Sequence, residues 1–247
     1  MRSNPALDGK IRRTTDTLSR NTLVIVNGVK YSPSDSESIR ILSFGFEKNV
    51  WRYLKPKERD VFIDIGAHVG KYTLQVARIV GNEGLTIALE PHPDNYKALL
   101  KGIQLNGFKN IVALNIAAWD KDCKLKLFIG DTAGHHSAKI NKGLGHIEVE
   151  AKTVDSIVKS INVGRVDWIK IDVEGAALEV IRGLHKTITK YAPKIILEVL
   201  SENSRAVLKL MQDYGYAIAP FYDSERYFYG VPRQKKKGKI AFQLKDG

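Results

Sequence analysis

Asp64, Glu90, Asn115, Asp172 and Glu198 are far apart along a chain of 247 residues, yet each falls at or just after the end of a short apolar run. In a doubly wound α/β sheet, ligands sit at the carboxyl ends of the parallel strands, so five such positions would converge on one edge. Their types suggest a division of labour. An acid beside a glycine turn favours a cation. An acid ending the next strand accepts hydrogen bonds from ribose hydroxyls. Further acids can orient or deprotonate a hydroxyl group.

The first of these acids lies in VFIDIGAHVGKYT, Val61 to Thr73, where a strand-like run meets a glycine-spaced turn and then a helical pattern. The spacing does not suit phosphate. Gly66 and Gly70 flank Ala67 and His68, so G-x-G-x-x-G is not met, and G-x-x-x-x-G-K-[ST] is absent as well. S-adenosylmethionine carries no phosphate but does carry an ammonium and a sulfonium. A carboxylate at Asp64 would favour those cations, and glycine lets the backbone pass close to a ligand. Glu90, about 20 residues after the turn, would serve NAD equally well. Preference for S-adenosylmethionine over NAD therefore rests on Asp64 and on the missing glycine pattern.

The segments D-I-G-A-H-V-G, E-P-H-P, I-K-I-D-V-E-G and I-I-L-E-V occur in that order between Val61 and Leu200. Together they resemble the FkbM-type family of S-adenosylmethionine-dependent methyltransferases. The resemblance implies a class I Rossmann-like fold and methyl transfer to oxygen, often on sugars or natural-product hydroxyls. By position it implies that Asp64, Gly66, Ala67, His68 and Gly70 surround the methionine part of the cofactor. Glu90, followed by Pro91, would hold the ribose. Asn115, Ala117 and Ala118 would lie near the adenine. His68 departs from the asparagine usual in that family and is expected to shape the turn. Asp172 is the expected base or acceptor-orienting group, followed by Glu174 and Glu198. Glu174 could equally be a turn residue at a helix N-terminus. No assembled metal-ligand motif supports a metal, so none is assigned. Lys170, alternating with Asp172, is expected to pair with a nearby acid. His135, His136 and Ser137 sit in a polar loop of the kind that binds substrates.

Residues 1–60 read as an N-terminal extension whose TLVIVNGVKY stretch forms a hairpin about Asn27-Gly28. SDSES reads as a turn or helix cap, and Trp51, Tyr53 and Leu54 are expected to pack on the core. Residues 61–247 read as the methyltransferase domain. VFIDI, LTIALE, NIVALN, VDWIKID and KIILEVL are buried-strand candidates. They alternate with helices at KYTLQVARIV, NYKALLKGIQLN, TVDSIVKSI, AALEVIRGLHKTI and SRAVLKLMQDYG. This is α/β, a mostly parallel sheet with helices on both faces. KLKLFIG and HIEVEAK interrupt the rhythm as antiparallel strands, and YAIAPFYD, RYFYG and KIAFQL suggest an antiparallel edge.

With 39 Lys and Arg against 27 Asp and Glu, the chain carries a net charge of +12. That excess is compatible with nucleic acid, anionic lipid or a plain solvated surface. One cysteine, Cys123, excludes an intramolecular disulfide and points to a reducing, cytoplasmic setting. There is no signal-peptide core, and no apolar run approaches the roughly 20 residues that span a bilayer. The leading expectation is O-methylation of a hydroxyl on a sugar, glycan or small molecule. The alternative is an RNA methyltransferase acting on ribose 2′-OH. It draws on Arg12, Arg13, Lys235, Lys236 and Lys237 and on the aromatics Tyr227, Phe228 and Tyr229. A catalytically silent cofactor-binding partner is a third possibility. Oligomeric state is not legible.

Overall fold

The computed structural model describes residues 16–43, 45–130, 135–200 and 204–233. Its centre is a seven-stranded sheet. Five strands run parallel: β3 (Val61–Ile65), β4 (Leu85–Leu89), β5 (Ile111–Leu114), β9 (Trp168–Ile171) and β10 (Lys194–Glu198). β11 (Tyr216–Phe221) and β12 (Ser224–Pro232) complete the order β5-β4-β3-β9-β10-β12-β11. β12 runs against both neighbours. The reversed strand expected at the edge is thus slotted one place inside it, and the outermost strand runs with the rest.

The parallel strands form where the sequence is mainly apolar, because helices cover both faces of the sheet. VFIDI and WIKI are buried at every position. Alternate side chains go to opposite faces. Ile63, Ile65, Ile169 and Ile171 join one core with Val180, Ile181, Val207 and Met211. Phe62 and Trp168 pack on the other face with Val76 and Val80. Asp64 and Lys170 directly oppose each other across the β3–β9 pairing, so the sheet itself sets a buried acid beside a buried base.

α3 (Lys71–Val80) and α4 (Pro93–Asn106) follow β3 and β4. α5 (Val154–Ile161) precedes β9, and α8 (Ser204–Asp213) precedes β11. The segment expected as one helix, AALEVIRGLHKTI, is two: α6 (Ala177–Arg182) and α7 (His185–Tyr191). The reason is tertiary. The Gly183 carbonyl accepts from Asp155 N at 3.1 Å. The Asp155 carboxylate then accepts from the Lys186 and Thr187 amides and the Thr187 hydroxyl, at 2.9, 2.7 and 2.6 Å, which starts a new helix. At Gly183 the Trp119 carbonyl occupies the place of a side chain, 1.9 Å from where a Cβ would be.

The interruption after β5 is a separate three-stranded sheet. β6 (Ala117–Ala118) pairs parallel with β8 (His146–Lys152), which pairs antiparallel with β7 (Cys123–Phe128). Before the main sheet, β1 (Val24–Val26) and β2 (Val29–Tyr31) form the expected hairpin, with Asn27 and Gly28 at φ 50° and 75°. It is fastened to the domain: Asn106 bonds both the amide and the carbonyl of Lys30, and Gln75 donates to the Val26 carbonyl. Asp35, in SDSES, caps α1 (Ser36–Leu42). Leu54, after α2 (Val50–Tyr53), is buried, and Trp51 and Tyr53 pack on the core. Among the described residues, no helix is long and apolar enough to cross a membrane. KIAFQL and the RQKKKGK run from Gln234 onward lie outside the described residues.

Gly183→Ala should lower the unfolding free energy by about 1–3 kcal/mol, because its methyl must displace backbone rather than a flexible side chain. Urea unfolding followed by circular dichroism measures this directly.

Candidate functional site

A cavity of about 390 Å³ opens at the carboxyl ends of β3, β4, β9 and β10. Its first wall is the glycine turn. Gly66 N and Ala67 N both donate to the Leu89 carbonyl at 3.0 Å, which bends the chain away from the strand. Gly66 has φ 81°, and a Cβ there would stand 1.8 Å from the Asp172 carbonyl. Only glycine lets β3 and β9 come this close. His68 holds φ 52°, the turn-shaping role expected of it. Its two ring nitrogens are enclosed and bond to no protein group, and burial lowers its pKa to about 4, so it is neutral at ordinary pH.

Glu90 ends β4 and ties two turns together. One carboxylate oxygen accepts from His68 N at 2.7 Å and the other from His92 N at 2.9 Å. Burial raises Glu90 to about 7 in spite of these amides. Asn115 donates to the Glu90 and Pro91 carbonyls at 2.8 and 2.9 Å, fixing the strand end from outside.

Acids gather at the opposite end. Asp172 takes the Lys170 ammonium at 2.9 Å, with the lysine side chain only 3% exposed. Burial pushes Lys170 down, but Asp172, Asp64 and Glu47 outweigh it and hold the lysine charged. Burial would raise Asp172; Lys170 reverses this and keeps it ionised. Glu198 is shifted the other way, first by burial and then by the Asp172 charge, so it retains the proton that the pair shares. Arg226 closes on Glu198 at 2.7 Å. Glu174, in left-handed backbone at φ 38°, offers its carboxylate to the same place. Ligand atoms of Asp172, Glu174 and Glu198 lie within 4.8 Å of one another, a spacing that could hold a cation. No contiguous motif announces this cluster, because its residues come from a strand end, a turn and a second strand.

Of the thirteen residues singled out from the sequence, ten line this cavity: Gly66, Ala67, His68, Glu90, Pro91, Ala117, Ala118, Asp172, Glu174 and Glu198. Three do not line it. Asp64 is 1% exposed, and Oδ2 accepts from Thr73 Oγ1 at 2.6 Å while Oδ1 has no protein partner. Its burial raises its pKa, and any influence on a ligand acts through the turn. Gly70 packs on Leu99 where α3 begins, and Asn115 is exposed. His135 and His136 line the cavity, while Ser137 donates to the Glu174 carbonyl at 2.6 Å and braces that turn.

The sequence reading missed the wall supplied from before β3. Glu37, Arg40, Phe46 and Glu47 line the cavity, as do Lys71 and Tyr72. Glu47 accepts from the Tyr72 hydroxyl at 2.9 Å, and Lys71 donates to the Phe46 carbonyl. No local pattern marks residues 46–47 as part of a site.

A sheet of this order, with its cleft at the carboxyl edge, is a Rossmann-like fold. The methyltransferase FkbM domain matches residues 64–218, more than half of the chain, and the protein belongs to that family. It is 25% identical over 188 residues to Methyltransferase 1 of Beauveria bassiana, covering 66% of this chain and 75% of that protein. It is 24% identical over 200 residues to the hexuronic acid methyltransferase AglP of Haloferax volcanii, covering 75% and 81%. Among solved structures, an FkbM methyltransferase from Methylobacillus flagellatus superposes with a TM-score of 0.52 at 15% identity. That match covers 72% of this chain and 45% of the other.

Lys170→Ala would leave Asp172 and Asp64 without their shared cation. Breaking a buried pair in this way should cost about 3–5 kcal/mol. Thermal unfolding at neutral pH should show this, with a smaller loss for Lys170→Ala combined with Asp172→Asn.

Proposed function

We propose that the protein transfers a methyl group from S-adenosylmethionine to a hydroxyl, on a sugar or glycan in preference to other small molecules. The observation that carries this reading is one cavity with two chemically different ends, Glu90 at one and the Asp172–Glu198 pair at the other. The chain suits this cofactor. Gly66 leaves room for close approach, and Glu90 retains lone pairs for ribose hydroxyls. Lys71, which opens α3, turns to Phe46 and Glu47 instead of towards a phosphate. The cofactor supplies a methyl group on a sulfonium, a good leaving group.

The protein's task is then alignment and exclusion of water. Ala117, Ala118 and Pro91 form a smooth wall beside Glu90, suited to the flat adenine. Asp172 orients the acceptor hydroxyl by accepting its hydrogen bond. A carboxylate this acidic is a weak base for a free alcohol. It suffices here, because the hydroxyl proton becomes strongly acidic as the carbon–oxygen bond forms. Glu198, protonated and held by Arg226, keeps the second negative charge out of the cleft. Lys170 offsets the Asp172 charge and Arg226 lies against Glu198; no metal is assigned a role.

The sugar preference has two supports. One relative is a hexuronic acid methyltransferase. The aromatics that an RNA reading would use as a stacking platform are also committed elsewhere: Tyr227 and Phe228 are each 8% exposed, and Tyr229 packs against Tyr53 and Trp168.

Fractionated extract incubated with methyl-labelled S-adenosylmethionine should show label in the glycan fraction. Label confined to RNA, or no binding of the cofactor at micromolar protein, would overturn the proposal. Affinity for S-adenosylhomocysteine, measured by calorimetry, should rise as pH increases through about 7, because the ionised Glu90 is the better acceptor for ribose. Glu90→Gln should flatten that pH dependence and weaken binding about tenfold, the loss expected for one charged hydrogen bond.

A further inference from the structure

Taking the proposed facing of Asp172 toward the acceptor hydroxyl as its basis, a second role can be assigned outside the motif-bearing half of the chain. The Tyr227 hydroxyl stands between two carboxylates, 2.5 Å from Glu47 Oε1 and 3.3 Å from Asp172 Oδ2. A phenol has one proton to donate. Where that proton goes decides what Asp172 can still accept.

Asp172 is already well neutralised. Lys170 Nζ sits on the same Oδ2 at 2.9 Å. Glu47 is less so: Lys71 Nζ is 3.7 Å from Oε2, which also takes the Tyr72 hydroxyl at 2.9 Å. A donor favours the nearer and less compensated charge, since hydrogen bonds to an ionised acceptor are shorter and stronger. Glu47 is also firmly placed. It has left-handed backbone at φ 51°, and its carbonyl accepts from Val50 N at 3.0 Å.

We propose that Glu47 is a positioning residue for methyl transfer: it draws the Tyr227 proton away from Asp172, leaving the Asp172 carboxylate open to the acceptor hydroxyl. In Glu47→Gln the new amide can donate to the Tyr227 oxygen, and the phenol proton turns to Asp172, the remaining charged acceptor. Tyr227 then competes with the acceptor for a carboxylate that already takes Lys170 and the proton shared with Glu198.

Glu47→Gln should lower kcat about tenfold with little change in KM, the size expected when a reacting group is misaligned rather than removed. Adding Tyr227→Phe removes the competing donor, so the double variant should be faster than Glu47→Gln alone. A purely structural role would make the double variant slower. Independently of any acceptor, a crystal structure of Glu47→Gln with S-adenosylhomocysteine should show the Tyr227–Asp172 oxygen separation contracting to about 2.7 Å, an ordinary O–H···O distance. A double variant no faster than the single one, or an unchanged separation, overturns the inference. If the wild type transfers label to no fraction, the functional reading falls, and the crystallographic separation alone decides the role of Glu47.

Discussion

The site is organised around one buried ammonium. Lys170 enters the sheet opposite Asp64, reaches Asp172 at the end of its own strand, and lies over the Tyr72 ring at 4.7 Å from the ring centroid. A lone charge in that position would be expelled or neutralised. Flanked by two acids, it stays charged, and it in turn keeps Asp172 ionised. With Asp172 ionised, Glu198 holds its proton and Arg226 has a partner. The difference between two chemically similar carboxylates in one cleft therefore rests on the burial of Glu198 itself and, through Asp172, on an almost wholly buried lysine.

The close approach of β3 and β9 makes this possible. Gly66 passes the Asp172 carbonyl with no room for a side chain, so the glycine turn and the acid cluster become opposite ends of one small cavity. Glu90 locks the other side of the turn through two backbone amides. The Glu90 end is thus fixed largely by main-chain geometry, and the Asp172 end by side chains from several elements.

Much of the fold is legible because buried parallel strands are written as mainly apolar runs, and VFIDI, LTIAL, WIKI and KIILE each form one. The helix after Asp172 reads as continuous in the sequence, because its break depends on Asp155 and on the Trp119 carbonyl, neither of which its own periodicity encodes. The strand-end acids were legible as a group, yet Asp64 turned out to be sealed beneath Thr73, since alternation gives the face of a residue and not the depth of its cover. Glu47 and Tyr227 could not be paired from sequence at all. One precedes every strand of the main sheet, and the other lies on the last of them.

That pairing links residues 180 positions apart, whereas the Glu90–His68 clasp spans 22. Loop-closure entropy grows with the length of chain enclosed, and contacts of long sequence separation tend to form late. The two ends of the cavity therefore belong to different stages of assembly. The Glu90 clasp can form from a compact stretch around β3 and β4, whereas the Glu47–Tyr227 contact beside Asp172 exists only once residues from before β3 and from β12 have met. Opening of the N-terminal wall would remove that contact first and leave the Glu90 clasp in place, so that order of loss is built into the connectivity of the chain.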